Sequence, residues 1–143
     1  MSAPAHPARY HPALVALHWL VALLVTLALI AGGLVISDMP NAEPGKVDAL
    51  RIHALMGLSI GALMLIRLAV RLRTTHPAPA TTGIALADRL APLAHGALYA
   101  LVLLMVASGI ALSLQSGLME ALFADAPMPV DFHVFAPRQV HGF

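Results

Sequence analysis

ALVALHWLVALLVTLALIAGGLVI, residues 13–36, runs for 24 residues without a charged side chain. At about 1.5 Å per residue, a helix of that length exceeds the ~30 Å hydrocarbon core of a bilayer. A segment in hydrocarbon must satisfy its own backbone hydrogen bonds, so the stretch reads as a spanning helix. It is too long for the apolar part of a signal peptide and carries His18 and Trp19 within it, which makes it a retained span. Trp19 suits the aromatic belt at a membrane–water boundary.

The rest of the chain agrees with that class. Of its 143 residues, 59% are hydrophobic and 10% charged, with a mean hydropathy of +0.84; a soluble domain carries about 25% charged residues. The net charge of +1 and the lack of a basic run leave no footprint for nucleic acid. Cysteine is absent, which excludes disulfides, Cys-ligated iron–sulfur clusters and covalent c-type haem attachment. A haem in this chain would be held through histidine or methionine.

Before the first span, Met1 to His11 form a short polar tail, and neither His6 nor His11 is expected to carry function. After it, Ser37 to Leu50 make an acidic, turn-rich loop in which Asp48 suits the N-cap or first turn of the next helix. The second helix is expected over 52–70, opening Ile52-His53-Ala54-Leu55-Met56-Gly57, with Arg67 either snorkelling or facing a polar partner in the bundle. A Pro- and Thr-rich loop follows, with a short amphipathic piece over 84–90 expected at the interface. The third span is expected over 91–114, with His95 near its start and Tyr99 one turn on. No later apolar run is long enough to cross, and 138–143 reads as the start of a further helix. The expected architecture is an all-α integral membrane bundle in one domain, up-down-up-down, with three of four spans present.

Arg9, Arg67, Arg71, Arg73 and Arg89 gather at one end of these helices, against Lys46, Arg51 and Arg138 at the other. The positive-inside rule therefore predicts a cytoplasmic N-terminus and second loop in a cell inner membrane, with the first loop periplasmic.

Eight histidines are unusual in such a chain. Counting along alternating helices puts His18 and His95 at one membrane level and His53 and His141 at the other, with the levels roughly 15–20 Å apart. Two histidines at one level on different helices can clamp an iron from both sides. Ionisable residues inside spans are rare and usually functional. Gly57 follows His53 by four residues, and Gly32 and Gly109 each follow His18 and His95 by 14, about 1400° of rotation and so within about 40° of the same face. Such bare patches would admit a porphyrin plane. Gly57-x-x-x-Gly61 equally fits a helix-packing motif. His76 and His133 read as structural or solvated loop residues, and Met64 and Met105 as core packing.

These motifs resemble the bacterial cytochrome b561 family, related to the cytochrome b subunits of nickel–iron hydrogenases. The resemblance rests on Arg9-Tyr10 before Leu17-His18-Trp19-Leu20, on Arg51-Ile52-His53 with Gly57, and on Arg67-Leu68 with Arg71-Leu72 before a Pro-rich loop. Ala94-His95-Gly96-Ala97-Leu98-Tyr99 with Ser108-Gly109 completes it. It implies a four-helix membrane protein with two b-type haems, each held by two histidines. Electrons would pass between a periplasmic or partner donor and the quinone pool, with superoxide the donor in some members. By position, His18 would hold the cytoplasmic haem, and His53 and His141 the periplasmic one. The family's fourth helix carries a second histidine roughly four turns after the first, whereas this sequence ends two residues after His141. The expectation is a sequence truncated within the fourth helix, with His95 as the fallback partner of His18.

Three functions compete: a haem b electron-transfer protein exchanging electrons with quinone; a non-catalytic membrane anchor or cytochrome subunit docked to a redox partner protein or a homodimer mate; and a histidine-relay transporter. Transport is disfavoured because Asp38, Asp48, Asp88 and Glu120 all lie at or beyond helix ends, whereas proton relays usually place carboxylates within spans.

Overall fold

The computed structural model describes residues 7–124, 126–129 and 131–142, and every regular element among them is helical. Three helices are long and apolar enough to cross a membrane: Pro12–Ile36, Lys46–Arg73 and Ala85–Gln115. His6 and Phe143, at the two ends of the sequence, lie outside the described residues.

Helix α1 spans Pro12–Ile30. Pro12 opens it with a preset φ and no N–H to satisfy, and His11 Nδ1 caps it by accepting the Ala13 N–H at 3.2 Å. The Gly32-Gly33 pair then interrupts it. From Ala31 to Ile36 the backbone widens into a π-helix, with the Ser37 N–H donating to Gly32 O at 3.1 Å. Single π turns of this kind recur at functional sites.

Helix α2 covers Lys46–Arg73, six residues earlier at its start than the apolar core of the span suggested. Charged residues extend it at both ends: Asp48 sits in its first turn and Arg71 and Arg73 in its last, each complementing the helix dipole.

Helix α3 covers Ala85–Gln115 with Ile84 as its N-cap, so residues 85–90 are the start of this helix and not a separate interfacial piece. Asp88 Oδ1 accepts both the backbone N–H and the hydroxyl of Thr82 at 2.8 Å, which anchors the first turn. The helix continues past Pro92, which lacks the N–H for an internal bond. At its far end Gly117, at φ 73°, takes the left-handed conformation that a side chain would resist.

Two six-residue helices follow, α4 at Leu118–Phe123 and α5 at Ala136–His141. The first is too short to show a period in the sequence. Arg51 secures it by donating Nε and Nη2 to Leu122 O at 2.9 and 2.7 Å. Leu122 is 1% exposed, the most deeply buried large side chain described.

Helix α2 is the hub. Helices α1 and α3 both pack on it, α5 packs on α3, and α1 and α3 do not approach one another. Val21, Ile60 and Met64 centre the core, with Leu24, Val102 and Val106 packed around them. At Gly61 a Cβ would lie 2.9 Å from Val106 Cγ1, so the α2–α3 contact depends on that missing side chain. No more than 17% of any spanning window is buried inside the protein. The outward faces, with Leu23, Leu34, Leu65 and Leu101 exposed, suit hydrocarbon and not water.

Candidate functional site

At the first-loop end of the helices lies a cavity of about 710 Å³, lined by apolar side chains and by Gly32, Gly57, Gly109, His53 and His141. That volume falls within the range of cofactor pockets, about 300–1,000 Å³.

His53 enters from the second turn of α2 and His141 from the last turn of α5. Their ring centroids stand 6.0 Å apart with the planes 80° to each other. Two imidazoles that share one metal, each nitrogen about 2 Å from it, place their centroids about 6 Å apart.

Each ring rests against a glycine of a neighbouring helix. A Cβ at Gly32 would lie 3.0 Å from His53 Cε1, and one at Gly109 would lie 2.7 Å from His141 Cε1. The π-helical widening of α1 brings Gly32 to this place. At Gly57 a Cβ would meet nothing within 4 Å, so this glycine lines the cavity without touching a ring.

The two imidazoles differ in their bonds. His141 Nδ1 lies 2.9 Å from Met105 O. A carbonyl only accepts, so Nδ1 carries the proton and Nε2 keeps the lone pair that a metal requires. Ser108 donates its hydroxyl to the same carbonyl at 2.9 Å and lies 3.2 Å from Nδ1. His53 Nδ1 is buried with no hydrogen-bond partner. An orphaned polar atom in an apolar cavity is costly.

The other two sequence candidates are placed differently. His18 is exposed, its ring 5.3 Å from that of Trp19. His95 is exposed, with Nδ1 2.7 Å from Ala91 O. Because α1 and α3 stand apart, these two rings make no contact among the described residues.

Three cavity residues escaped sequence reasoning. His133 lines the cavity although it reads as a loop residue. Lys46 and Arg138 line it as well. Lys46 is the chain's single lysine, in a loop otherwise acidic and turn-rich, and that isolation is the one signal that could have singled it out. At the second-loop end, Arg67 donates Nη1 to Tyr99 OH and stands 4.9 Å over the same ring.

Two imidazoles 6.0 Å apart in a largely apolar, glycine-lined cavity of a helical membrane protein are an arrangement of the kind that can hold a haem. The family model described as prokaryotic cytochrome b561 matches residues 9–141. The chain belongs to the prokaryotic cytochrome b561 family, whose members work in membrane electron transport and typically bind haem b. No curated protein and no solved structure matches it significantly.

Proposed function

We propose that this protein is a haem b electron carrier of the cell inner membrane, and that His53 and His141 would hold the iron of one haem. The observation that carries the reading is the facing of these rings, 6.0 Å between centroids, across a cavity of porphyrin scale. The orphaned His53 Nδ1 and the glycine at each ring support the fit.

When bound, a haem b supplies a one-electron ferric/ferrous couple. The protein's own part is to hold and to shield. His53 and His141 would hold the group through their imidazoles. Met105 O holds the proton on His141 Nδ1 and so leaves Nε2 unprotonated, the form in which the ring could hold a metal. Leu29, Leu58 and Ile110 give the cavity an apolar wall. Gly32 and Gly109 let the rings approach their helices closely.

His18 stands as the candidate ligand of a second, cytoplasmic haem on the strength of the family resemblance alone, with His95 its fallback partner. Quinone is proposed as the electron acceptor, with a periplasmic or partner donor, superoxide included, on the same basis. The excess of arginine around the second loop supports a cytoplasmic N-terminus.

The test is a reduced-minus-oxidised spectrum of the protein purified in detergent. A dithionite-reducible b-type band is expected. A colourless preparation from haem-replete cells would sink the reading.

A further inference from the structure

The cavity carries two cations that pair with no carboxylate among the described residues. Lys46 is 6% exposed. Its ammonium donates to Ile36 O at 2.5 Å and to Met39 O at 2.7 Å, the carbonyls where the π-helical end of the first span turns into the loop. An ammonium has three donors, so one remains. Arg138, one turn before His141, lines the same cavity and lies close enough to Lys46 for their charges to repel.

Neither cation has a carboxylate partner. The single ion pair among the described residues joins Arg51 to Asp48. Asp131 lines the cavity too, but its Oδ1 accepts the backbone N–H of His133 at 2.8 Å, and it pairs with neither cation. Burying a charge is costly unless it is paired, and a second like charge beside it adds to the cost. The balance calls for negative charge delivered by whatever fills the cavity.

We propose that Lys46 and Arg138 form a carboxylate clamp that holds the propionate groups of the porphyrin at the first-loop end of the cavity. This rests on the haem reading above. The chemistry of the pair suits that role, since a guanidinium fork matches a carboxylate in bidentate fashion while an ammonium serves as a compact point charge. Two cations answer two acidic arms. Anchoring the arms at this end would hold the porphyrin in one orientation within the cavity. A cation beside each arm also favours the ferrous state, which carries one positive charge fewer.

The experiment titrates the haem-depleted full chain in detergent with iron protoporphyrin IX and, separately, with its dimethyl ester, following the Soret band. Haem is expected to bind at least about tenfold more tightly than the ester, the scale of one charge-assisted hydrogen bond. Arg138→Gln should narrow that preference and lower the reduction potential of the bound haem. Lys46→Met should act in the same direction, but Lys46 also ties down Ile36 and Met39, so Arg138→Gln is the primary variant and circular dichroism reports folding for both. Equal affinity for haem and ester in the wild type, with a normal b-type spectrum, would overturn the clamp and leave the haem reading intact. An unchanged preference and potential in a folded Arg138→Gln protein would overturn it too. Failure of the wild type to bind either porphyrin would overturn the haem reading and the clamp with it.

Discussion

His141 is fastened to α3 through Met105: its Nδ1–H donates to the Met105 carbonyl at 2.9 Å, with the Ser108 hydroxyl donating to the same oxygen. That bond joins the last short helix to the middle of the third span. It also leaves Nε2 as the ring nitrogen without a proton. The bond leaves little freedom for the ring to retreat from Gly109, where a Cβ would stand 2.7 Å from Cε1.

Gly109→Ala should therefore be the most damaging of the glycine substitutions at the site. The ring must give up the Met105 bond or the helices must separate, and overpacking of this kind costs about 1–3 kcal/mol. Gly32→Ala, at 3.0 Å from His53 Cε1, should be milder because His53 Nδ1 has no bond to lose. Gly57→Ala, with open space around it, should be tolerated. Haem content per protein and thermal unfolding in detergent rank the three variants. Equal loss at Gly57 and Gly109 would contradict the account.

Gly61 separates packing from ligation. A Cβ there would press on Val106 at 2.9 Å, far along α2 from His53. Gly61→Ala should lower thermal stability by about 1–3 kcal/mol while leaving the haem spectrum unaltered. A spectral change without a stability change would show that this glycine serves the cavity.

Arg51 should matter through Leu122 and not through Asp48. Arg51→Ala leaves a carbonyl of the buried α4 end without its two donors, a loss of about 1–3 kcal/mol. Asp48→Asn removes an exposed ion pair of 2.6 Å and should cost no more than about 1 kcal/mol. Limited proteolysis over 118–135 and thermal unfolding distinguish them. Similar effects from both variants would count against the α4 anchor.

Arg67 and Tyr99 form a polar pair between spans. Tyr99→Phe removes the acceptor from a partly buried guanidinium whose Nε is already unpaired, and should destabilise by about 1–3 kcal/mol. Arg67→Met removes charge and orphan together and should be better tolerated, since an apolar replacement of a buried charge is often neutral or stabilising. Thermal unfolding of the two variants decides the order.

Much of this arrangement is legible in the sequence for plain reasons. The spans are legible because hydrocarbon tolerates so few alternatives to a long apolar helix. His53 stands out because an imidazole inside such a run has a cost that ordinary packing does not explain. The 14-residue offsets place Gly32 and Gly109 near the opposite membrane level, where each touches an imidazole. Lateral position is not legible. Counting residues puts His18 and His95 at one level but does not show that α2 stands between their helices. Lys46 has the look of a solvated loop residue because its burial depends on the Ile36 and Met39 carbonyls, at the end of the first span and in the loop after it, whose positions a count along the sequence does not contain. Helix α4 is invisible for a simpler reason: six residues are too few to show a period.

The most direct measurement is haem stoichiometry, by pyridine haemochromogen, of the wild type beside His53→Ala, His141→Ala and the double variant. If the two imidazoles share one iron, each single variant loses the same one haem and the double variant loses no more. Additive losses, or a full haem complement in either single variant, would contradict the shared site.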